Sequence, residues 1–502
     1  MKCNLLIALF FSTMCTFACG SGNGIVSEID PPTDTVPSTD VTFYTTSVNG
    51  YSLNKTTAAY SSKVNMSPYT ITIDPKTTYQ SMDGFGAAIT YSTAYNLLKM
   101  SQSNRTKFLK ETFSDTDGYG FSYVRISIGC SDFSSTEYTC CDKKGLENFA
   151  LASDETNYVI PVLKEILAIN PNLKIIGSPW TCPKWMKVKD LTTKTLYDSW
   201  TDGHLNPDYY QDYANYFVKW IQAFNKEGIS IYAVTPQNEP LNTGNCASLY
   251  MPWDEETAFL KYLAPTIKSN NLSAKIYVFD HNYNYDNVSS QNDYPVKVYN
   301  NLGTFDGSEF VVGAAYHNYG GSYSELADIH NQAPGKELIF TETSIGTWND
   351  GRNLATRLMP DMQEVALGTV NNYCKAVTVW NLMLDINRGP NLAGGCQTCY
   401  GAVDIDPSNY SSITKNSHYY IIAHMSSVVK PDAIRIGFDN SSYTATGLTY
   451  SAFKNKDNSY SMVFCNNNSD AKSVVINDGT NHFTCSIPAY GVVSCKWNNA
   501  IK

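Results

Sequence analysis

Charge is scarce in this chain, and positive charge most of all. Only 16% of its 502 residues are charged, and 36 Lys plus Arg against 46 Asp plus Glu leave a formal net charge of −10. Without a basic stripe there is nothing to release phosphate counterions, which excludes a nucleic-acid partner. Long apolar runs are equally few. Beyond the leader no window offers ~18 uncharged apolar residues, so no transmembrane span is expected in the mature chain. No Gly-x-Gly-x-x-Gly follows the first predicted strand, which weighs against a doubly wound, dinucleotide-binding sheet. Cys396 and Cys399 have no second ligand pair at finger-like spacing, so no metal is expected, and no other cofactor.

What is present is apolar and aromatic: 43% hydrophobic and 13% aromatic residues, with 36 Tyr. That supplies an ample core, excludes disorder for most of the length and suits a surface that stacks on sugar rings. The length allows one large domain with an accessory, or two to three domains. Lys2 precedes the apolar run Leu5-Leu6-Ile7-Ala8-Leu9-Phe10-Phe11, the pattern of a signal peptide. Thr16-Phe17-Ala18-Cys19-Gly20-Ser21 resembles a bacterial lipobox, with Cys19 as the lipidation site; a plain secretory signal cut nearby is the alternative. Residues 1–19 are therefore read as a lipoprotein signal and 20–42, rich in Gly, Ser, Thr and Pro, as a flexible tether. The expected location is outside the cytoplasm, on an outer membrane or cell surface or in the periplasm, with membrane contact only through the Cys19 lipid and a monomeric chain. Three of 14 cysteines fall in the leader, and the remaining eleven, an odd number, leave at least one unpaired. Export permits disulfides, for which Cys396/Cys399, Cys140/Cys141 and the group Cys465, Cys485 and Cys495 are candidates.

Between residues 83 and 384 short β-rich runs alternate with helix-like stretches. Eight strands are predicted: Met82–Thr90, Tyr123–Gly129, Lys174–Trp180, Ile231–Glu239, Lys275–Asn282, Val311–Tyr319, Glu337–Ser344 and Ala376–Leu384. Several are almost continuously apolar, as strands buried on both faces are. Helices are expected over Ser92–Thr112, over Asp154–Ile169 with Asp154 as N-cap, and over Pro207–Glu227. The pattern predicts an α/β fold, a (β/α)8 TIM barrel over residues 77–429. Residues 43–76 and 430–502 are β-type, and together they form one side β-sandwich built from the N- and C-terminal segments.

Catalytic groups in such a barrel sit at the C-terminal ends of strands. Strand four ends Gln237-Asn238-Glu239-Pro240 and strand seven ends Thr341-Glu342-Thr343. These strands lie nearly opposite, so Glu239 and Glu342 face one another across a bound ring. Strand three ends Ser178-Pro179-Trp180-Thr181, strand six Tyr316-His317-Asn318-Tyr319, and strand eight carries Trp380-Asn381. Hydrolysis of a glycosidic bond needs one protonated acid for the leaving oxygen and one ionised carboxylate at the anomeric carbon. Indoles offer faces for sugar C–H groups, while amides and His317 read hydroxyls. Asp132 and Trp348, in loops after strands two and seven, could also touch substrate. His204, His281 and His418 are read as ordinary surface or loop histidines.

Five separated motifs then coincide: Asp83-Gly84-Phe85-Gly86-Ala87-Ala88-Ile89-Thr90, Ser178-Pro179-Trp180-Thr181, Asn238-Glu239-Pro240, Glu342 after an apolar strand, and Trp380-Asn381. Over roughly residues 70–500 the chain resembles glycoside hydrolase family 30, which includes glucosylceramidases and microbial endo-β-1,6-glucanases. The resemblance implies a retaining double displacement with Glu239 as acid/base and Glu342 as nucleophile. It implies that Asn238 contacts the sugar 2-hydroxyl, that Arg125 keeps Glu342 ionised and that Tyr319 orients it. It makes Trp180 and Trp380 walls of the cleaved sugar's subsite. Tyr91 stands where glucosylceramidases have an Asp that binds distal glucose hydroxyls, which argues against strict exo-glucoside recognition. The expected function is a retaining β-glycoside hydrolase acting on a β-glucan or β-glucoside, with endo-cleavage of β-1,6-linked glucan favoured. An exo-acting β-glucosidase or glucosylceramidase, and a non-catalytic glycan-binding lipoprotein, are the alternatives.

Overall fold

The computed structural model describes residues 40–61, 69–283, 288–439, 441 and 446–498. The leader, Cys19 and residues 20–39 of the predicted tether lie outside them. Eight parallel strands close into a barrel: β1 (Gly84–Ala88), β2 (Tyr123–Ser127), β3 (Lys174–Ser178), β4 (Ala233–Val234), β5 (Lys275–Asn282), β6 (Val311–His317), β7 (Glu337–Glu342) and β8 (Cys374–Asn381). Each pairs with its neighbours in sequence, and β8 closes onto β1. All eight predicted strands are present, each ending within the predicted run or close to it.

The interior is built in layers. Tyr123, Ile176, Ala233, Tyr277, Ala315, Ile339 and Ala376 form one apolar layer. Side chains alternate along a strand, so the residue two positions further points the same way. Those residues are Arg125, Ser178, Thr235, His317, Thr341 and Thr378, all fully buried. A polar layer thus sits on an apolar plug, facing the C-terminal mouth. β5 breaks the alternation. Its register against β6 shifts between Phe279 and His281, and Phe279 (φ +73°) and Asp280 (φ +49°) adopt left-handed backbone. This bulge sends Phe279 outward against Tyr294 and Tyr316 and turns Asp280 into the polar layer.

The second sheet has nine strands in the order Asn54–Ala58, Val41–Ser47, Gly491–Trp497, Tyr460–Asn466, Thr449–Lys454, Ile434–Phe438, Thr70–Ser81, Lys472–Asn477 and His482–Ile487. Strands from before and after the barrel therefore interleave. Phe43, near one end of this order, meets Phe483, at the other, with ring centroids 5.8 Å apart, so the sheet folds over a shared core as a sandwich. Its first strand begins at Val41, inside the stretch read as tether, and Thr70–Ser81 runs across the boundary drawn at residue 77.

Two helix expectations are corrected. The single helix over Ser92–Thr112 is two, Tyr91–Lys99 and Gln102–Phe113, because the Ser101 hydroxyl accepts from the Asn104 N–H and starts a new one. Asp154 is not an N-cap. The helix begins before it and passes through a π-turn at Glu155–Val159, while the Asp154 carboxylate accepts from the N–H and hydroxyl of Ser135. Cys396 and Cys399 form a disulfide, whereas Cys140, Cys141, Cys465, Cys485 and Cys495 are free and buried. Among the described residues no helix is long and apolar enough to cross a membrane.

Phe483 is fully buried and packs on Phe43, Tyr60 and Trp497. Phe483→Ala should cost about 3–5 kcal/mol of unfolding free energy, read by chemical denaturation. A change under about 1 kcal/mol would show that the two ends of the sheet do not share a core.

Candidate active site

Arg125 on β2 is the centre of the polar layer. Its guanidinium donates to Glu342 Oε2 at 2.5 Å, to Asp280 Oδ2 at 2.7 Å, to Asn238 Oδ1 at 2.8 Å and to Ser178 Oγ at 3.2 Å. Trp180 and Trp380 stack with centroids 5.2 Å apart, and the same guanidinium lies over both. The two indoles make one continuous aromatic wall held by a cation–π contact.

Glu342, the last residue of β7, also accepts from the Tyr319 hydroxyl at 3.0 Å. Glu239 lies beyond β4 in left-handed backbone (φ +45°), a strained conformation for a residue with a Cβ. Its Oε1 pairs with His317 Nδ1 at 3.2 Å, and its Oε2 accepts from Asn242 at 2.7 Å and Asn245 at 3.3 Å. One oxygen from each glutamate and one His317 nitrogen lie within 4.8 Å of one another. That proximity suits direct attack by one carboxylate on a sugar the other protonates.

The electrostatics follow from burial and charge. Burial works to lower His317, but the charges of Glu342, Asp280 and Glu239 outweigh it and raise its pKa to about 9. Burial works to raise Glu239, yet the bond from His317, the neighbouring positive charge and the bond from Asn242 lower it to about 2. Glu342 is raised by burial, with His317 and Arg125 pulling back. Asp280, despite burial, is held far below the usual carboxylate range by Arg125, His317 and Thr341. These opposed shifts favour a proton on His317 over one on Glu239. Glu239, His317 and Glu342 have the donor types of a metal site, and each is already bonded within the cluster, Glu239 to Asn242, His317 to Asp280 and Glu342 to Arg125.

Residues 82–429 match the Glycosyl hydrolase family 30 TIM-barrel domain, and residues 432–495 the family's beta sandwich domain. The chain belongs to glycoside hydrolase family 30. It is 32% identical over 386 residues to an endo-1,6-beta-D-glucanase of Trichoderma harzianum, covering 73% of each chain. It is 25% identical over 453 residues to the lysosomal acid glucosylceramidase of Mus musculus, covering 85% of this chain and 83% of the relative. A solved endo-beta1,6-glucanase structure superposes with TM-score 0.88 at 61% identity, over 92% of this chain and all of that one. The protein is a family 30 glycosidase, a retaining hydrolase of O-glycosyl bonds.

The cavity of this glycosidase, about 290 Å³, is lined by Glu239, Glu342, Trp180, Trp380, Tyr319, Asp132 and Trp348, and further by Asn242, Asn245, Asn282, Cys396 and Cys399. Beside this lining Arg125 holds Glu342, His317 holds Glu239, and Asn238 accepts from Arg125. Asp132 is buried, its Oδ1 has no partner among the described residues, and burial with repulsion from Glu342 raises it to about 8. A carboxyl group protonated near neutral pH can both give and take a hydrogen bond with a sugar hydroxyl. Trp348 stands at the rim, half exposed.

Tyr91 is elsewhere. It opens the first helix, its ring packs on Tyr95 and Tyr158, and it is not among the residues that line the cavity. The reading of three histidines as surface residues is also corrected. His281 and His418 are buried, and His204 is half-buried against Glu255. Asp280 is the functional residue that sequence reasoning missed. It bridges Arg125, Ser178 and Thr235 with one oxygen and His317 and Thr341 with the other. Strand alternation would have aimed Phe279 inward instead, and nothing in the sequence announces the bulge.

Asp280→Asn removes the charge shared by Arg125 and His317. It should destabilise the fold by about 3–5 kcal/mol and cut kcat/KM at least tenfold, measured by denaturation and steady-state kinetics. Wild-type stability and activity in this variant would show that the buried cluster is not a unit.

Proposed function

We propose that this glycosidase is an endo-β-1,6-glucanase that cleaves β-1,6-linked glucan through a covalent glycosyl-enzyme. The observation that carries the mechanism is the approach of Glu239 and Glu342 within one site. The linkage is supported by the 61% identical solved relative and the Trichoderma enzyme, both described as endo-1,6-glucanases. Glu342, oriented by Arg125 and Tyr319, attacks the anomeric carbon. Glu239 gives a proton to the leaving oxygen, then takes one from the water that releases the sugar. Asn238, fixed by Arg125, presents its amide to the sugar 2-hydroxyl. A leaving sugar that displaces the amides of Asn242 and Asn245 strips Glu239 of two donors, and the proton resting on His317 can pass across the 3.2 Å contact to it.

A second reading, an exo-acting β-glucosidase, is favoured by the size of the cavity, room for about one pyranose. Early products from β-1,6-glucan separate the two. A ladder of oligosaccharides is expected, and glucose alone would overturn the endo reading. The non-catalytic glycan-binding alternative loses its basis in a family 30 glycosidase with both carboxylates in place. Export and tethering through Cys19, to an outer membrane or cell surface, are proposed on the N-terminal pattern alone. Labelled palmitate incorporated by the wild type and lost in Cys19→Ala would support them, and no incorporation into either would refute them.

The pH profile of kcat/KM should be bell-shaped. Activity rises with pH as Glu342 loses its proton, above the ordinary glutamate range because burial raises it. It is lost as pH climbs through about 9, where the His317–Glu239 pair gives up its shared proton. In His317→Asn the proton has only Glu239 to rest on, so the basic limb should move down by more than about one pH unit. An unmoved limb would show that His317 does not hold the acid's proton.

A further inference from the structure

The Cys396–Cys399 disulfide lies in the loop that leaves β8, and both of its residues line the catalytic cavity. Nine other described cysteines are free and buried. The loop is tied within itself: Arg388 Nε donates to the Gln397 carbonyl, and Gln397 Nε2 to the carbonyls of Leu392 and Gly395. On one side it grips Asp132. The Leu392 N–H donates to the Asp132 carbonyl at 3.0 Å, the Cys396 N–H faces the Asp132 carboxyl group, and a Cβ on Gly395 would stand 2.5 Å from the Asp132 carbonyl oxygen. On the other side it grips the loop after β7. Cys399–Tyr400 pairs antiparallel with Ile345–Gly346, and the Thr347 N–H donates to the Thr398 carbonyl, one residue before Trp348. One four-residue ring therefore joins the carboxyl group at the wall of the cavity to the indole at its rim.

We propose that the Cys396–Cys399 disulfide is a substrate-positioning clamp, which holds Asp132 and Trp348 at the spacing that receives a β-linked hexosyl unit of the glycan. The physical reason is conformational freedom. Gly394 and Gly395 leave the backbone before Cys396 many accessible states, and the crosslink removes them before substrate arrives, so less entropy is lost on binding. Arg125, Glu342 and Glu239 are anchored in the barrel and do not depend on the loop. The clamp acts through Asp132 and Trp348 and not on the reacting atoms, so its loss weakens binding and spares the chemical step. It requires only that the substrate occupies the cavity, and it deepens the glucanase reading without depending on the linkage.

The test uses the mature enzyme in three forms: oxidised wild type, wild type reduced with a phosphine, and the double variant Cys396→Ser/Cys399→Ser. Kinetics are measured on β-1,6-glucan and on an aryl β-glucoside. Reduced wild type and double variant should show KM raised about tenfold with kcat within about twofold of wild type. Removal of the reductant should restore the original KM in wild type and not in the variant. In an Asp132→Asn background the cysteine substitutions should raise KM by less than they do in wild type, because one of the two contacts they position is already gone. Gly395→Ala keeps both cysteines and pushes the loop off Asp132. It should raise KM selectively as well, and it decides the matter together with the reduced wild type if the double variant fails to fold. KM unchanged on reduction, a fall in kcat at constant KM, or full additivity with Asp132→Asn would each overturn the clamp. A wild type inactive on β-1,6-glucan would refute the linkage alone, since the ratios on the aryl glucoside still read the clamp.

Discussion

The whole site depends on a guanidinium buried where no water reaches it. Arg125 is fully enclosed, and an unpaired charge at such depth costs several kcal/mol. It is tolerated because Asp280 and Glu342 balance it and because each of its three nitrogens donates to an acceptor. The bonds that make the charge affordable also fix the carboxylate beside the anomeric carbon. His317 repeats the logic one step away, a second cation held between Asp280 and Glu239. Three carboxylates and two cations leave the cluster one negative charge. Ester formation removes the charge on Glu342 while the proton that leaves with the departing sugar removes one from His317, and Glu239, left ionised, is then free to act as base.

Much of this was legible in the sequence, because barrel strands are apolar on both faces and break at polar residues. The runs ending in Asn238-Glu239 and Thr341-Glu342 placed both carboxylates at one mouth, with Trp180, His317 and Trp380 at neighbouring strand ends, while the roles of Arg125, Asn238 and Tyr319 are legible only through the resemblance to the family. Where local geometry departs from that count, sequence reading misses. The bulge at Phe279–Asp280 exchanges an apolar residue for the carboxylate that anchors the cluster. Tyr91 drew attention because it stands where glucosylceramidases have an Asp, but the helix begins at that very residue and carries its ring to Tyr158. Cys396 and Cys399 stood out by spacing, yet nothing in the spacing says that the pair forms a wall of the site.

The barrel and its loops divide the labour by rigidity. Groups that form or break bonds project from strand ends and are braced by the polar layer beneath them. Loops supply the rest of the cavity lining: Asp132 after β2, Asn242 and Asn245 after β4, Trp348 after β7 and the disulfide loop after β8. The same inner cluster can then serve different β-glycosides as the rim changes. This agrees with a chain similar over most of its length both to glucanases and to a glucosylceramidase.

Trapping the covalent intermediate probes the central chemistry most directly. A 2-deoxy-2-fluoro-β-glucosyl fluoride should inactivate the enzyme by forming a slowly hydrolysed ester, and peptide mass spectrometry locates it. An ester on Glu342 is the predicted result; a stable ester on Glu239, Asp280 or any other carboxylate would contradict the assignment of the nucleophile.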